Sequence, residues 1–350
     1  MTRFIAVSNR RGGVGKTTTT MMLGYGLSVL GFQKVLVVDL DAQASTSITM
    51  MGHERWSLAR RDGHTIGDVL VEMYGKDKVD IRSAIARQVG DVHIMPGRRR
   101  PDLDLLPCTF ELDNREREIL LMGAGAGPTV GQVFAGLRQR VAEILRSLDG
   151  HYDVVLMDCP PGLSNVAWGA LKAADFVLVP YIPDATAQDN IGWFHKELLS
   201  QDAGKQVRVL PNRVRANSPF QAGIMDAVHQ RYESLGLTMP VRSAIAGALD
   251  FRTNSESMRS KFGDGAMVVD GLFNAVLRWF EQVPNQPARD FSTGGATGGE
   301  ASPDDPQLDD PAVAELDLLG DDMTISLEDL ETGSGHMPDD DDDDAWRAED

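Results

Sequence analysis

The sequence predicts an α/β fold: a doubly wound, mostly parallel sheet with helices on both faces, followed by a disordered acidic C-terminal tail. Three observations carry this. Runs such as Val35-Leu36-Val37-Val38 and Val154-Val155-Leu156-Met157 are apolar at consecutive positions, the mark of strands buried on both faces. Helical patterns alternate with these runs, as βαβ units require. After Pro284 the composition turns to Pro, Gly, Ser, Thr and Asp, which cannot bury enough apolar area to offset chain entropy.

The elements follow in order. Residues 3–8 (RFIAVS) form a short apolar run ending at the loop Gly12-Gly13-Val14-Gly15. A helix follows with Leu23, Leu27 and Leu30 on one face, stopping at Gly31. Strands are expected at Lys34–Asp39, Asp153–Asp158, Phe176–Pro180 and Val207–Leu210, with helices at Val133–Leu148 and Ala167–Ala174 between them. Residues 52–130 are less regular: His64–Leu70 reads as a short helix, Val92–Pro96 as a strand, and the glycines from Gly123 to Gly131 as a loop. The last helix of the folded part spans Gly265–Phe280. No internal repeat of 20–50 residues is visible. The chain divides into a domain over 1–285 and a tail over 286–350.

Charge sharpens that division. The net charge of −18 would disfavour nucleic acid and anionic membranes if it were evenly spread. Residues 286–350 hold 21 acids and two bases, leaving 31 acids against 32 bases in residues 1–285. The body is therefore neutral and free to meet phosphate, while the tail is a separate acidic object. Two cysteines, Cys108 and Cys159, are too few for a disulfide framework and suit a reducing compartment as small buried hydrophobes. No stretch is apolar for 18 residues, and the run Phe4–Val7 is too short for a signal peptide. The expectation is a soluble cytoplasmic protein with no membrane partner.

The chemistry concentrates in Arg11-Gly12-Gly13-Val14-Gly15-Lys16-Thr17-Thr18, between a strand and a helix. Glycines let successive N–H groups close on phosphate oxygens, and the helix N-terminus adds partial positive charge. Lys16 would reach the β- and γ-phosphates and the Thr17 hydroxyl would ligate Mg²⁺. Asp158 ends a buried strand and would hold Mg²⁺ through water. Asp41, near the end of another, would orient the attacking water, and Asp39, two residues earlier, is expected on the same face to share that role. The dinucleotide pattern G-x-G-x-x-G is not met.

The loop departs from G-x-x-x-x-G-K-[ST] because Arg10 stands at the first glycine. It resembles the deviant Walker A motif, K-G-G-x-x-K-[ST], of the ParA/MinD family of ATPases. The resemblance extends to Asp39-Leu40-Asp41-Ala42-Gln43, similar to the family's D-x-D-x-Q, and to Asp158-Cys159-Pro160-Pro161, similar to its Walker B segment. Ala173–Pro180 resembles the strand that follows it. Pro211-Asn212-Arg213 stands where the family reads adenine with an asparagine. The likeness covers residues 3–285 and is greatest to the short Soj-like ParA proteins, since no helix-turn-helix precedes the loop.

The resemblance implies a P-loop NTPase fold, ATP and Mg²⁺ as cofactors, and a homodimer in the ATP state. The family's second lysine is replaced by Arg11, which keeps the charge and adds a planar fork for phosphate. Arg11 is thus a candidate intermolecular arginine finger; the competing reading is a weakened contact and slow turnover. Short ParA-like proteins bind nonspecific DNA and are released when a ParB-like or cargo-adaptor partner stimulates hydrolysis, so a nucleoid-associated location is implied. Candidate DNA contacts are Arg208, Arg213, Arg215, Arg231, Arg242, Arg252, Arg259 and Lys261, with Arg242 and Arg252 foremost by analogy. An iron–sulfur cluster like that of the nitrogenase iron proteins is disfavoured by the cysteine placement, and the tyrosine-rich tail of the kinase relatives is missing. A basic membrane helix of the MinD kind is opposed by the acidic end.

Within the tail, residues 312–331 mix acids with Leu and Ile, and 339–350 join six aspartates to Trp346. These read as partner-docking motifs, set against a purely solubilising tail. Two functions result. One is an ATPase that positions or segregates a cargo such as a chromosome, plasmid or protein assembly. The other is an ATP-gated scaffold that turns over little and recruits a partner through its tail.

Overall fold

The computed structural model describes residues 1–75, 79–94, 100–124, 129–201, 204–251 and 257–283. All of them fall in a compact unit, Met1–Phe291. Arg252, Met95–Pro96 and the tail motifs lie outside the described residues.

The chain opens with β1 (Arg3–Val7), α1 (Lys16–Tyr25), β2 (Val35–Asp39), α2 (Ser45–Met51), α3 (His53–Arg61) and α4 (Ile66–Gly75). Next come β3 (Leu103–Leu106), α5 (Leu112–Ala124), α6 (Val130–Arg146), β4 (Val154–Asp158), α7 (Asn165–Ala173) and β5 (Phe176–Tyr181). The described part ends with α8 (Ala187–Gln201), β6 (Gln206–Pro211), α9 (Pro219–His229), α10 (Ser243–Gly247), α11 (Met258–Phe262) and α12 (Ala266–Gln282).

All six strands pair in parallel, in the order β3-β2-β4-β1-β5-β6. Every residue of β2, β4 and β5 is buried. That explains their uninterrupted apolar sequences, since α1 packs on β2 and β4, α7 on β1 and α8 on β5. The chain leaves β1 toward β2 and leaves β4 toward β5, in opposite directions across the sheet. A crevice therefore opens at the C-terminal ends of β1 and β4, the usual ligand position in such sheets. Register brings the chemistry there: Asp158 pairs with Val7 on one side and with Asp39 on the other.

Three sequence expectations are corrected. Val92–Ile94 is not in a strand; the sheet's edge is β3, whose Leu105 also bridges Ala86 in antiparallel fashion. The segment before β3 is held by side chains instead: buried Asp91 accepts from the Tyr25 hydroxyl at 2.7 Å and from Lys261 Nζ at 2.8 Å. β3 escaped notice because Asp104 interrupts its apolar run, and that carboxylate is satisfied by Arg87 and the Tyr152 hydroxyl. Gly123 and Gly131, the ends of the expected loop, are helical, in α5 and in α6, the latter begun by a capping box of Thr129 and Gln132, while residues 125–128 lie outside the described residues.

The helix after the phosphate loop also differs from a plain α-helix. Its last turn, Gly26–Leu30, is a π-helix. A Cβ at Gly26 would lie 3.2 Å from the Phe273 Cβ and one at Gly31 2.8 Å from the Phe273 ring, so glycine there lets α12 lie close. Trp279 on α12 is fully buried and meets Phe176 of β5 edge to face, closing that side of the core.

Candidate active site

The loop from β1 to α1 is built by glycine geometry. Gly13 and Gly15 adopt φ values of 71° and 97°, the left-handed region that glycine enters without a Cβ clash. Gly15 is doubly constrained, because a Cβ there would stand 2.0 Å from Asn212 Nδ2. The loop is pinned from below: the Arg11 N–H donates to Asn9 Oδ1 at 3.1 Å and the Gly162 N–H to the Arg10 carbonyl at 2.9 Å. Lys16, buried at the start of α1, donates to the Arg11 carbonyl at 3.0 Å. Burial lowers its pKa from the ordinary lysine value, and the charges of Asp158 and Asp41 work against that lowering.

The carboxylates form a floor beneath this loop. Asp158 Oδ2 accepts from the Thr17 hydroxyl at 2.8 Å and the Thr46 hydroxyl at 2.6 Å, and Oδ1 accepts from Thr20 at 3.3 Å. Burial pushes the Asp158 carboxyl up to about 6, while the hydroxyls of Thr46 and Thr17 hold it down. Asp39 accepts from the Ser47 hydroxyl at 2.6 Å, the Ser47 N–H at 2.8 Å and the Asp41 N–H at 3.2 Å. Burial and then the neighbouring Asp158 charge raise Asp39 to about 8.

Asp39 and Asp41 do not share a strand face, as the spacing suggested. β2 ends at Asp39, which is wholly buried, whereas Asp41 lies in the following turn, partly exposed, with Oδ1 accepting from the Gln43 N–H at 2.9 Å. Asp39 thus anchors the segment, and Asp41, partly exposed, lies close enough to Lys16 for its charge to act on that ammonium. Cys108 and Cys159 are buried free thiols, as expected, and burial raises Cys159 to about 12.

Beside the loop lies a cavity of about 780 Å³, lined by Gly15, Thr18, Asp184, Asn212, Arg215 and Arg242 among others. Asn212 is locked by backbone: its Nδ2 donates to the Val14 carbonyl at 2.7 Å, and its Oδ1 accepts from the Arg213 N–H at 2.8 Å. An amide so oriented at the mouth of an apolar-walled cavity suits hydrogen bonding to a planar base. Arg11 turns outward from the loop, pairs with Asp184 and donates from Nη1 to the Thr186 hydroxyl at 3.1 Å. Arg242 lines the same cavity and pairs with Asp264 at 3.1 Å.

The basic residues named from sequence separate clearly. Arg213, Arg215, Arg231, Arg242 and Arg259 are exposed. Arg208 and Lys261 are not available as surface contacts. Arg208 bonds Gln282 at 2.6 Å beside Trp279, and Lys261 is fully buried against Asp91. Sequence reasoning missed Thr20, Thr46, Ser47 and Asp184. The run Ser45-Thr46-Ser47, three hydroxyls just after Asp41, was the one available signal. Among the described residues, no group of three or more His, Cys, Asp or Glu could hold a metal. Thr17 and Asp158 fit a cation that keeps several waters and binds substrate phosphates, the habit of Mg²⁺.

Comparison with known proteins agrees with this geometry. A family model described as an AAA domain matches residues 2–201. The chain is similar to the sporulation initiation inhibitor protein Soj of Bacillus subtilis (strain 168), 31% identical over 180 residues, covering 51% of this chain and 58% of that protein. It is also similar to the chromosome partitioning protein ParA of Caulobacter vibrioides, 35% identical over 178 residues, covering 51% and 55%. The matches therefore span little more than half the length of these relatives. Among solved structures it resembles a cobyrinic acid a,c-diamide synthase from Mycobacterium smegmatis with bound ATP analogue and magnesium. That likeness has 26% identity and a TM-score of 0.58, covering 83% of this chain and all of that one.

Proposed function

Because the chain belongs to the AAA domain family, and within it is a ParA/MinD-type protein resembling the Soj-like partition proteins, we propose that it is a Mg²⁺-dependent ATPase that positions or segregates a cargo. The observation that carries the reading is the convergence of three groups at one strand-end crevice. Lys16 and Thr17 come from the start of α1, just after the phosphate loop, and Asp158 from the end of β4. The ATP analogue and magnesium in the Mycobacterium smegmatis structure support the same ligands here.

In this reading the loop N–H groups and Lys16 grip the β- and γ-phosphates, and the apolar cavity takes the base against Asn212. Mg²⁺, when bound, would supply charge neutralisation to the phosphates. Thr17 and Asp158 are the residues that would hold it. Asp41 accepts a hydrogen bond from the attacking water and aligns it. Arg11 completes the site of a second copy in an ATP-bound homodimer, where its planar fork suits phosphate oxygens. To do so it exchanges Asp184 for the partner's phosphates. Exposed Arg242, at the cavity's edge, and Arg252, outside the described residues, supply contacts to nonspecific DNA, and a ParB-like or cargo-adaptor protein accelerates turnover. No described helix is long and apolar enough to cross a membrane.

The test is ATP turnover and nucleotide binding by the full chain, with and without DNA, beside Lys16→Ala. Loss of a buried charged contact to phosphate is expected to weaken ATP binding by about 3 kcal/mol, roughly a hundredfold in Kd. Equal binding by both proteins would sink the assignment. Turnover negligible under every condition, with ATP binding intact, would favour the ATP-gated scaffold.

A further inference from the structure

We infer that Thr46 is a positioning residue of the phosphate–cation site, linking Asp158 to the segment that carries Asp41. The inference rests on the ATPase reading above and adds a residue to it. The observation is that two hydroxyls converge on one carboxylate oxygen. Asp158 Oδ2 accepts from Thr17, the second residue of α1, and from Thr46, which lies in the first turn of α2. The Thr46 contact is the shorter, at 2.6 Å against 2.8 Å, and Thr46 has no exposed surface.

The fold does not need this bond to seat α2. Ala44, at the head of the helix, sits in the left-handed region with φ of 51° and provides no side-chain cap. The open end is satisfied three residues later, where both the N–H and the hydroxyl of Ser47 donate to Asp39. Cys108 N–H in turn donates to the Ser47 hydroxyl at 2.8 Å, fixing that residue from a third direction. Ser47 therefore fastens α2 to β2, and Thr46 fastens the same turn to β4. Asp41 lies on the short span between Asp39 and this double attachment, and the Ala44 N–H donates back to the Asp41 carbonyl at 2.8 Å.

The consequence is mechanical and electrostatic. A cation held by Thr17 and Asp158 draws on the carboxylate that Thr46 orients, so any turn of that carboxylate moves the start of α2. Asp41 is carried with it. Without the Thr46 hydroxyl, Asp158 loses one of the donors that set its plane. Groups that orient a metal-binding carboxylate act on affinity from one shell out.

The experiment uses the full chain and a fluorescent ATP analogue, with Mg²⁺ titrated at fixed analogue. Thr46→Val, close in shape but without a hydroxyl, is compared with Thr46→Ser and wild type, and thermal melts report folding. The Mg²⁺ concentration giving half-maximal analogue binding should rise roughly tenfold in Thr46→Val. Thr46→Ser should return it to the wild-type value. Amide hydrogen exchange over residues 41–47 should slow on adding Mg²⁺ and analogue in wild type and Thr46→Ser, and change little in Thr46→Val. If Thr46→Val melts too low to assay, Thr46→Ala at reduced temperature is read the same way. A hydroxyl-free variant with wild-type Mg²⁺ dependence and exchange response overturns this inference alone. A wild-type chain that binds no analogue at any Mg²⁺ concentration overturns the ATPase reading and this inference with it.

Discussion

The floor and the rim of the crevice are built on opposite principles. On the floor, Asp39 and Asp158 are at most 1% exposed, and each accepts at least two short hydrogen bonds from groups fixed by strands and helix starts. On the rim, the Arg11–Asp184 side chains are 39% and 32% exposed, and those of Arg242–Asp264 are 49% and 63%. Buried carboxyl groups hold their geometry because leaving the donors around them without an acceptor is costly. Exposed ion pairs are worth at most about 1 kcal/mol and exchange partners readily. The floor is therefore the rigid reference, and the rim is the part that can trade one partner for another.

Asp39→Ala tests the floor hardest. It leaves the N–H and hydroxyl of Ser47 without their acceptor, and about 3 kcal/mol of unfolding free energy should be lost, read by urea titration. A loss below about 0.5 kcal/mol would mean that the floor is no more rigid than the rim. Gly15→Ala comes next. The φ of 97° and the Asn212 amide 2.0 Å from a Cβ predict about 2 kcal/mol of strain together with weaker binding of ATP. Wild-type stability in that variant would show the loop to be looser than its backbone indicates.

The pH dependence has a defined sign. Both floor carboxyls are raised in the fold, to about 8 and about 6, above the unfolded value near 3.8. The native state therefore holds more protons than the unfolded chain from about pH 4 to pH 8, and stability of the protein without nucleotide falls as pH rises through that window. Melting temperatures across the range should show the decline, and Asp39→Asn should flatten its upper part. The smallest effect on stability belongs to the rim. Arg11→Ala should change unfolding free energy by less than about 1 kcal/mol while removing ATP-dependent dimerisation, measured by sedimentation. Intact dimerisation and turnover in that variant would end the arginine-finger role.

The two regions also differed in how far the sequence revealed them. The strands β1, β2, β4 and β5 were visible as apolar runs, and the phosphate loop as glycines between strand and helix. Both are local patterns. What stayed hidden depended on partners far along the chain. Asp104 made β3 look too polar until Arg87 and Tyr152 were found to satisfy it. Lys261 and Arg208 looked like surface bases, and only tertiary structure brings Asp91 and Gln282 to them. Thr46 carried no motif of its own, because its significance lies in a hydrogen bond to a residue 112 positions away. On the rim, Arg11 was recognisable as a cation near phosphate, but its pairing with Asp184, 173 residues later, was not.

The strand order has a further consequence, for the ribosome rather than for the finished molecule. β1 precedes the other five described strands in the sequence, yet its two neighbours are β4 and β5. Its edges have nothing to pair with until synthesis has passed Asp158 and then Leu178, and Asn212 reaches the loop later still. Pairings this distant in sequence are slow to form and leave strand edges open meanwhile. A nascent chain arrested before β5 would thus expose an apolar, half-paired β1 together with its phosphate loop. β1 is made before the partners that secure it, so termination before β5 should yield aggregates rather than a partial nucleotide binder.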